Sequence, residues 1–395
     1  MTKIGKMTYR ENKRNGDRLS PLAYGFMRAG RDAEAARVVL RHAVASGINY
    51  IDTAYMYPGN EELLGKLLEE EGLRNRVKIA TKLPPQSVKK SEDFERLFCT
   101  SLKRLRTDYI DYYLIHNLNG IKEWERLCSL GLREWLADLK SSGRAINVGF
   151  SFHGNSDLFI KLVDFHDWDF AMVQYNYLDE HTQAGRKGVD HAASKNIPLM
   201  IMTPLRGGVL ADKMPDEAVA VFKKHNADRS PADWALRWLW NQPEILTVLS
   251  GMRTIDEVNA NIAAAVGATC GRLTTDELAV YDEVRETMRR ITRVPCTYCG
   301  YCRVCPKGVD IPTCFDAYNQ RSVAKGFRRW HIWYFYIHRT INKNAGRCNG
   351  CRMCEKHCPQ EIEIAKELES VKREMEGILF RFARFAARKI MRLDK

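Results

Sequence analysis

An eight-stranded (β/α)8 TIM barrel followed by a small α-helical module is the fold class that this sequence of 395 residues predicts. Three observations carry it. Strand-like apolar runs and helix-like segments alternate from about residue 20 to 267. The strand-like runs number eight, the expectation for a closed barrel of about 250 residues. Two four-cysteine runs then follow, each closed by proline.

The eight runs are SPLAYGFM, NYIDTA, VKIATKL, YIDYYLIH, AINVGFSF, FAMVQYN, IPLMIMTPL and LTVLSGM. Helix-like segments such as DAEAARVVLRHAVASG and SEDFERLFCTSLKRLRT separate them. Ahead of the barrel, residues 7–20 place Asn15-Gly16 between alternating segments, which reads as a β-hairpin. An open doubly wound sheet is the alternative, but no GxGxxG follows the first strand. The expected division is a barrel with its hairpin over 1–290, a cysteine-rich module over 291–363, and a C-terminal amphipathic basic helix over 364–395.

Hydrophobic content of 45% and charged content of 28% are those of a globular chain. The first residues lack the apolar core of a signal peptide, and no run approaches 18 apolar residues. A cytoplasmic protein is expected. Twelve cysteines in a reducing compartment suit metal ligation better than disulfides. The excess of 62 basic over 49 acidic residues gives +13. With no nucleic-acid motif in the chain, that excess points to an acidic protein or a phosphorylated cofactor.

The cysteine runs are CTYCGYCRVCP, with Cys296, Cys299, Cys302 and Cys305, and CNGCRMCEKHCP, with Cys348, Cys351, Cys354 and Cys358. C-x2-C-x2-C-x3-C-P is the bacterial signature of [4Fe-4S] ligation. Three thiolates on one tight loop take three irons, and the fourth cysteine reaches the other cluster. The second run matches; the first has x2 before its last cysteine. Structural zinc and disulfides are the competing readings, yet zinc sites usually pair two Cys-x-x-Cys units. The expected sets are Cys296, Cys299, Cys302 and Cys358 for one cluster, and Cys348, Cys351, Cys354 and Cys305 for the other. Cys99, Cys128, Cys270 and Cys314 are expected to be buried or free thiols.

Between the runs, Phe327, Trp330, Tyr334, Ile337 and Ile341 recur at helical spacing and predict a buried packing stripe. After Pro359, one helix is expected, with Ile364, Leu368, Val371, Met375, Ile378, Phe382 and Phe385 on one face. Its end is basic, with Arg381, Arg384, Arg388, Lys389 and Arg392. Such faces usually pack on a neighbouring domain; a membrane-surface or partner role is the minority reading.

Barrel chemistry gathers at the C-terminal ends of strands. There the sequence puts Asp52 near the end of the second strand, Lys82 at the end of the third and His116 at the end of the fourth, with Tyr57 on the loop after Asp52. These residues resemble the tetrad of the aldo/keto reductases in order and strand placement, over nearly all of 1–290. With the cysteine runs, the chain is similar to the members that carry a C-terminal dicluster ferredoxin domain. The physics agrees. Carbonyl reduction needs hydride on carbon and a proton on oxygen. The Lys82 ammonium is expected to lower the Tyr57 pKa, with Asp52 holding Lys82 and His116 orienting the carbonyl.

The resemblance implies NADP(H) at Gly25, Met27, Ser151, Gln174, Met202, Gly251, Met252, Arg253 and Asn261. The SGMR segment precedes a helix whose N-terminus would take phosphate, and Arg253 would suit a 2′-phosphate. The chain departs from the family pattern at Phe152, where asparagine is common, and at Met202, where an aromatic residue often stacks on nicotinamide.

The expected function is an oxidoreductase on a carbonyl or its alcohol, exchanging electrons with two [4Fe-4S] clusters. The alternatives are an electron-transfer platform with an inactive barrel, or an NADPH reductase with structural clusters. Clusters pass single electrons and hydride carries two, so coupling needs a converter: a flavin in the barrel, or a partner. Arg328, Arg329 and the stretch Arg381 to Arg392 favour an acidic ferredoxin or flavodoxin as that partner.

Overall fold

The computed structural model describes residues 7–390 apart from 31, 299, 325 and 359. A two-residue hairpin comes first: β1 (Arg10–Glu11) pairs antiparallel with β2 (Arg18–Leu19). Gly16 accommodates its left-handed turn at φ 77°. Eight strands follow: β3 (Leu22–Gly25), β4 (Tyr50–Asp52), β5 (Lys78–Leu83), β6 (Ile110–Ile115), β7 (Ala145–Phe152), β8 (Phe170–Gln174), β9 (Leu199–Met202) and β10 (Ile245–Ser250). Neighbours pair in parallel and β10 closes on β3, giving one barrel. Each strand lies inside one of the eight apolar runs or within a residue of it.

The helices between them are α1 (Ala33–Ala45), α2 (Asn60–Glu70), α3 (Glu92–Leu105), α4 (Ile121–Ser129), α5 (Leu132–Ser141), α6 (Ser156–Asp164), α7 (Gly185–Ser194), α8 (Asp216–His225), α9 (Pro231–Trp240) and α10 (Ile255–Ala265). Then come α11 (Thr275–Ile291), α12 (Ile311–Val323), α13 (Gly326–Thr340), α14 (Ile364–Met375) and α15 (Ile378–Ile390). Asp32 caps α1 by accepting from the amides of Glu34 and Ala35. Where α2 crosses α3, only glycine fits at position 65. A Cβ there would meet the Arg104 carbonyl oxygen at 2.3 Å.

Strand residues alternate between the barrel interior and the helix layer. Tyr50, Ala80, Tyr112, Leu114, Phe170, Met172 and Met200 share the interior core, with Met202 packed against it. The Tyr112 ring meets Tyr50 edge-on at 5.2 Å and Phe170 at 5.0 Å. This plug fills the barrel below its C-terminal mouth. Two residues further along the same strands, the alternation puts Asp52, Lys82 and Gln174 on the interior side.

The chain forms two compact units. One runs through Leu205 and resumes over Ala232–Thr275; the other joins Arg206–Pro231 to everything from Asp276 onward. The units interleave along the sequence, which the sequence reading divided at 290 and 363. In the second unit, the Phe222 ring of α8 meets Tyr281 of α11 at 6.1 Å, and Arg229 pairs with Glu277.

Two expectations for the C-terminal helices are corrected. Of the stripe expected to be buried, Ile337 and Ile341 are buried, but Phe327 is 85% exposed, Trp330 60% and Tyr334 62%. The buried side is Ile332, Tyr336, Ile337 and Thr340. The single last helix is two, broken at Glu376-Gly377. Ile364, Leu368, Val371 and Met375 are buried as expected, whereas Ile378, Phe382 and Phe385 are exposed. The cause of the break is polar. The Glu376 carboxylate accepts from Tyr336 Oη, from Asn344 Nδ2 at 2.6 Å and from the Gly346 amide at 3.0 Å. Satisfying a buried carboxylate fixes its backbone, and the apolar period restarts after it.

Candidate active site

At the C-terminal mouth of β4 and β5, Lys82 and Asp52 are both almost fully buried. The Lys82 ammonium donates to both Asp52 carboxylate oxygens at 2.7 Å and to the Thr53 carbonyl at 2.6 Å. Burial pushes the lysine down and the aspartic acid up, and their contact opposes both shifts. Thr53, which sequence reading missed, is itself held: its hydroxyl donates to Asn60 Oδ1 at 2.7 Å, and Asn60 Nδ2 donates to the Phe26 carbonyl at 3.1 Å.

Tyr57 lies on the loop between β4 and α2, in sequence and in space. Its ring centroid is 5.3 Å from Lys82 Nζ and 5.9 Å, edge-on, from the His116 ring. So Asp52, Lys82, Tyr57 and His116 form one cluster. The expected lowering of the Tyr57 pKa by Lys82 is corrected. Burial, then the nearby Asp52 carboxylate, hold the phenol above its ordinary value. The Lys82 charge is spent on Asp52 at closer range. Burial, then Lys82 and His153, push His116 down to about 3, so its imidazole is neutral at pH 7.

The residues assigned to a nucleotide divide. Ser151 Oγ accepts from the Asn117 amide at 2.8 Å, tying β7 to the loop after His116. Asn117 adopts φ 53°, a left-handed turn that asparagine tolerates. Gln174 Nε2 donates to Asp179 at 3.3 Å, while its Oε1 is buried with no partner among the described residues. Met202 pairs in register with Gln174 on the neighbouring strand. Phe152 turns the other way, into the helix layer, where its ring meets Phe159 at 5.2 Å. The first departure from the family pattern is thus a packing residue.

At the β10 end, Asn261 Nδ2 donates to Ser250 Oγ at 3.0 Å. A Cβ at Gly25 would come within 3.5 Å of the Ser250 carbonyl, and one at Gly251 within 3.3 Å of Arg28. Met252 is buried and Met27 is exposed. Arg253 is exposed, with Glu257 as its neighbour: the Arg253 amide donates to Glu257 Oε2 at 2.6 Å. Thr254 caps α10, so its first turn faces the segment from Gly251 to Arg253.

In the second unit the two cysteine loops repeat one backbone pattern. Tyr298 and Gly350, each two residues after the first cysteine, take φ 60° and 73°; Gly300 and Arg352 take 84° and 56°. The Tyr298 amide donates to Cys296 Sγ, and the Gly350 amide to Cys348 Sγ, both at 3.4 Å. Cys296, Cys302 and Cys358 line one cavity with Ile311, Phe315, Ile362 and Ile364. Thr297 Oγ1 and Gln360 Nε2, from the same lining, are buried with no partner among the described residues. Burial and the neighbouring Cys305 and Cys348 sulfurs push the Cys354 thiol up to about 11. Cys351 is exposed, and Cys299 lies outside the described residues. Among the described residues no three His, Cys, Asp or Glu side chains close on a single point as a lone metal ion requires. Cys314 is buried apart, its sulfur 3.8 Å from Tyr336 Oη.

Known proteins bear on the barrel. An aldo-keto reductase of Bacillus halodurans, solved in its holo form, superposes with a TM-score of 0.60 at 25% identity, covering 70% of this chain and 96% of that one. The 6-dehydroglucose reductase of Novosphingobium aromaticivorans is 30% identical over 268 residues, 62% of this chain and 85% of its own. The 9,11-endoperoxide prostaglandin H2 reductase of Trypanosoma cruzi is 29% identical over 294 residues, 70% and 91% of the two chains. The model of the aldo/keto reductase family matches residues 21–286, ending ahead of both cysteine runs. The chain belongs to the aldo/keto reductase family, and is an oxidoreductase of carbonyl and alcohol substrates.

Proposed function

We propose that the barrel reduces a carbonyl, or oxidises the matching alcohol, with Tyr57 as the proton donor and acceptor. The observation that carries this is the cluster of Tyr57, Lys82, Asp52 and His116 at three successive strand ends. A phenol held above its ordinary pKa keeps its proton at neutral pH, the form a carbonyl oxygen needs. As that proton leaves, the Lys82 ammonium favours the forming phenolate, and Asp52 fixes the ammonium in place. Neutral His116 has an N–H to direct at the substrate oxygen.

NADP(H), when bound, supplies the hydride. The unpartnered Gln174 Oε1 and the buried Asn261 fit the two ends of such a cofactor. Arg253, whose side chain is 68% exposed beside Glu257, can turn toward a 2′-phosphate. A Klebsiella pneumoniae aldo-keto reductase of the same fold is solved with NADPH.

The eight run cysteines hold two [4Fe-4S] clusters in this reading, which when bound supply one-electron transfer. Three observations support it. Cys358 of the second run joins Cys296 and Cys302 of the first on one cavity. Cys305 of the first run stands with Cys348 beside Cys354. Unpartnered Thr297 Oγ1 and Gln360 Nε2 line the first cavity as donors for a sulfide-rich group. An acidic ferredoxin or flavodoxin is the electron partner, and a reducing cytoplasm is the setting. The loops meet such a carrier through exposed Arg303, Lys307, Arg352 and Lys356.

The test is anaerobic purification with iron, sulfide, zinc and flavin analysis, followed by NADPH addition. About eight irons per chain are expected, reduced by NADPH when the protein carries flavin or a flavodoxin is added as the two-to-one-electron converter. Turnover with silent clusters would make them structural; zinc in place of iron would overturn the assignment.

A further inference from the structure

Helices α13 and α15 pack on each other through Tyr336 and Phe380, whose rings lie 5.6 Å apart, and both residues are buried. Each helix turns a second apolar face to solvent. On α13 that face is Phe327, Trp330, Tyr334 and Phe335; on α15 it is Ile378, Leu379, Phe382 and Phe385. Ile378, Leu379, Phe382 and Phe385 are each more than 60% exposed. Scattered exposed apolar residues need no explanation, but two adjoining amphipathic helices with such faces do.

We propose that α13 and α15 form a docking face for an anionic lipid surface, on which the protein lies without crossing. Charge selects this occupant. Neither helix contains a single Asp or Glu, while Arg328, Arg329, Arg339, Arg381 and Arg384 flank the apolar residues. Arg328 pairs with Asp216 at 3.1 Å and Arg384 donates to Asn344 at 2.8 Å; Arg329, Arg339 and Arg381 remain exposed beside the aromatics. Such a combination is that of interfacial helices, which sink an apolar face to the acyl boundary and keep cations at the headgroups. Trp330 and Tyr334 add amphipathic rings that suit headgroup depth. An acidic protein would pair with the arginines but would leave the Phe, Ile and Leu side chains without matching apolar cover. Among the described residues no helix is long and apolar enough to span a membrane.

The test is sedimentation of the full chain, purified anaerobically, with vesicles of phosphatidylcholine alone or mixed with phosphatidylglycerol. Wild type is expected to pellet with the anionic vesicles and to be released by salt. Phe382→Ser with Phe385→Ser should weaken partitioning by at least about tenfold, the scale of lost interfacial apolar area. Arg329→Glu with Arg381→Glu, which leaves the apolar face intact, should abolish the preference for anionic lipid. Circular dichroism confirms folding, and either variant alone suffices. Absence of pelleting overturns the proposal, as does equal pelleting of wild type and variants. Dimerisation without vesicles that the serine variant abolishes would assign the face to a second copy. Capture of an acidic ferredoxin through these arginines, with vesicles ignored, would assign it to protein. Either result overturns the lipid reading.

Discussion

Lys82 Nζ contacts both carboxylate oxygens of Asp52 at 2.7 Å, across neighbouring parallel strands and out of reach of water. The pair fixes a cation near Tyr57 at a set depth. Its energetic signature is strong coupling, since a buried charge that loses its partner is costly. Lys82→Met should lower stability by roughly 3–5 kcal/mol. Adding Asp52→Asn to it should recover much of that loss. Chemical denaturation of the two singles and the double measures the coupling; additive losses would show that the pair is not ionised.

Tyr57→Phe keeps the ring packed edge-on against His116 and removes only the hydroxyl. Turnover with an aldehyde substrate should fall by about 10² or more, the scale of lost general-acid catalysis. Iron content should not change. Unaltered turnover would remove Tyr57 from the reaction.

His116 and His153 are buried neutral, pushed down to about 3 and about 4. The unfolded chain takes up their protons near the ordinary value of 6.5, and the folded chain does not. Stability should therefore fall as pH drops from 6.5 toward 4, by up to roughly 1.4 kcal/mol per pH unit for each histidine. Above pH 7 the effect vanishes. Urea midpoints from pH 7.5 to 4.5 test this, and His116→Asn should flatten the slope.

Arg253→Ala should weaken NADP binding by about tenfold, as for one lost exposed phosphate contact of roughly 1.4 kcal/mol. NAD binding should not change. Isothermal titration with both nucleotides decides it, and equal losses for the two would detach Arg253 from the 2′-phosphate.

Cys358→Ser should remove the cluster assigned to the first run, although the residue belongs to the second, because it lines the cavity with Cys296 and Cys302. Cys314→Ser should retain all iron, since that buried thiol sits by Tyr336 and burial holds it protonated. Iron and sulfide content of the Cys296→Ser, Cys358→Ser double variant separates the two schemes: crossed ligation loses one cluster and uncrossed ligation loses both.

The barrel was legible because its signals are local and repeat. Eight apolar runs bounded the strands to within a few residues, and strand ends marked Asp52, Lys82 and His116. What was illegible came from long-range polar contacts. Thr53 enters the site through its carbonyl, which any residue type supplies. The Tyr57 pKa direction depended on which partner Lys82 chose, a matter of distance rather than sequence. On α13 and α15 the helical character was legible, but an apolar period alone does not say which side meets a neighbour. Glu376, captured by Tyr336, Asn344 and Gly346, broke what the pattern had joined.

Arg206–Pro231 leaves the chain midway through the barrel sequence, after β9 and before β10. Its packing partners, Tyr281 and Glu277, are made later, beyond the last strand. During synthesis, then, β9 and the segment after it emerge before the α11 residues that Phe222 and Arg229 meet. Cutting the gene at residue 275 to obtain a minimal barrel would take Tyr281 from Phe222 and Glu277 from Arg229. A fragment meant to isolate the reductase has to run through α11, or lose Arg206–Pro231 to a short linker.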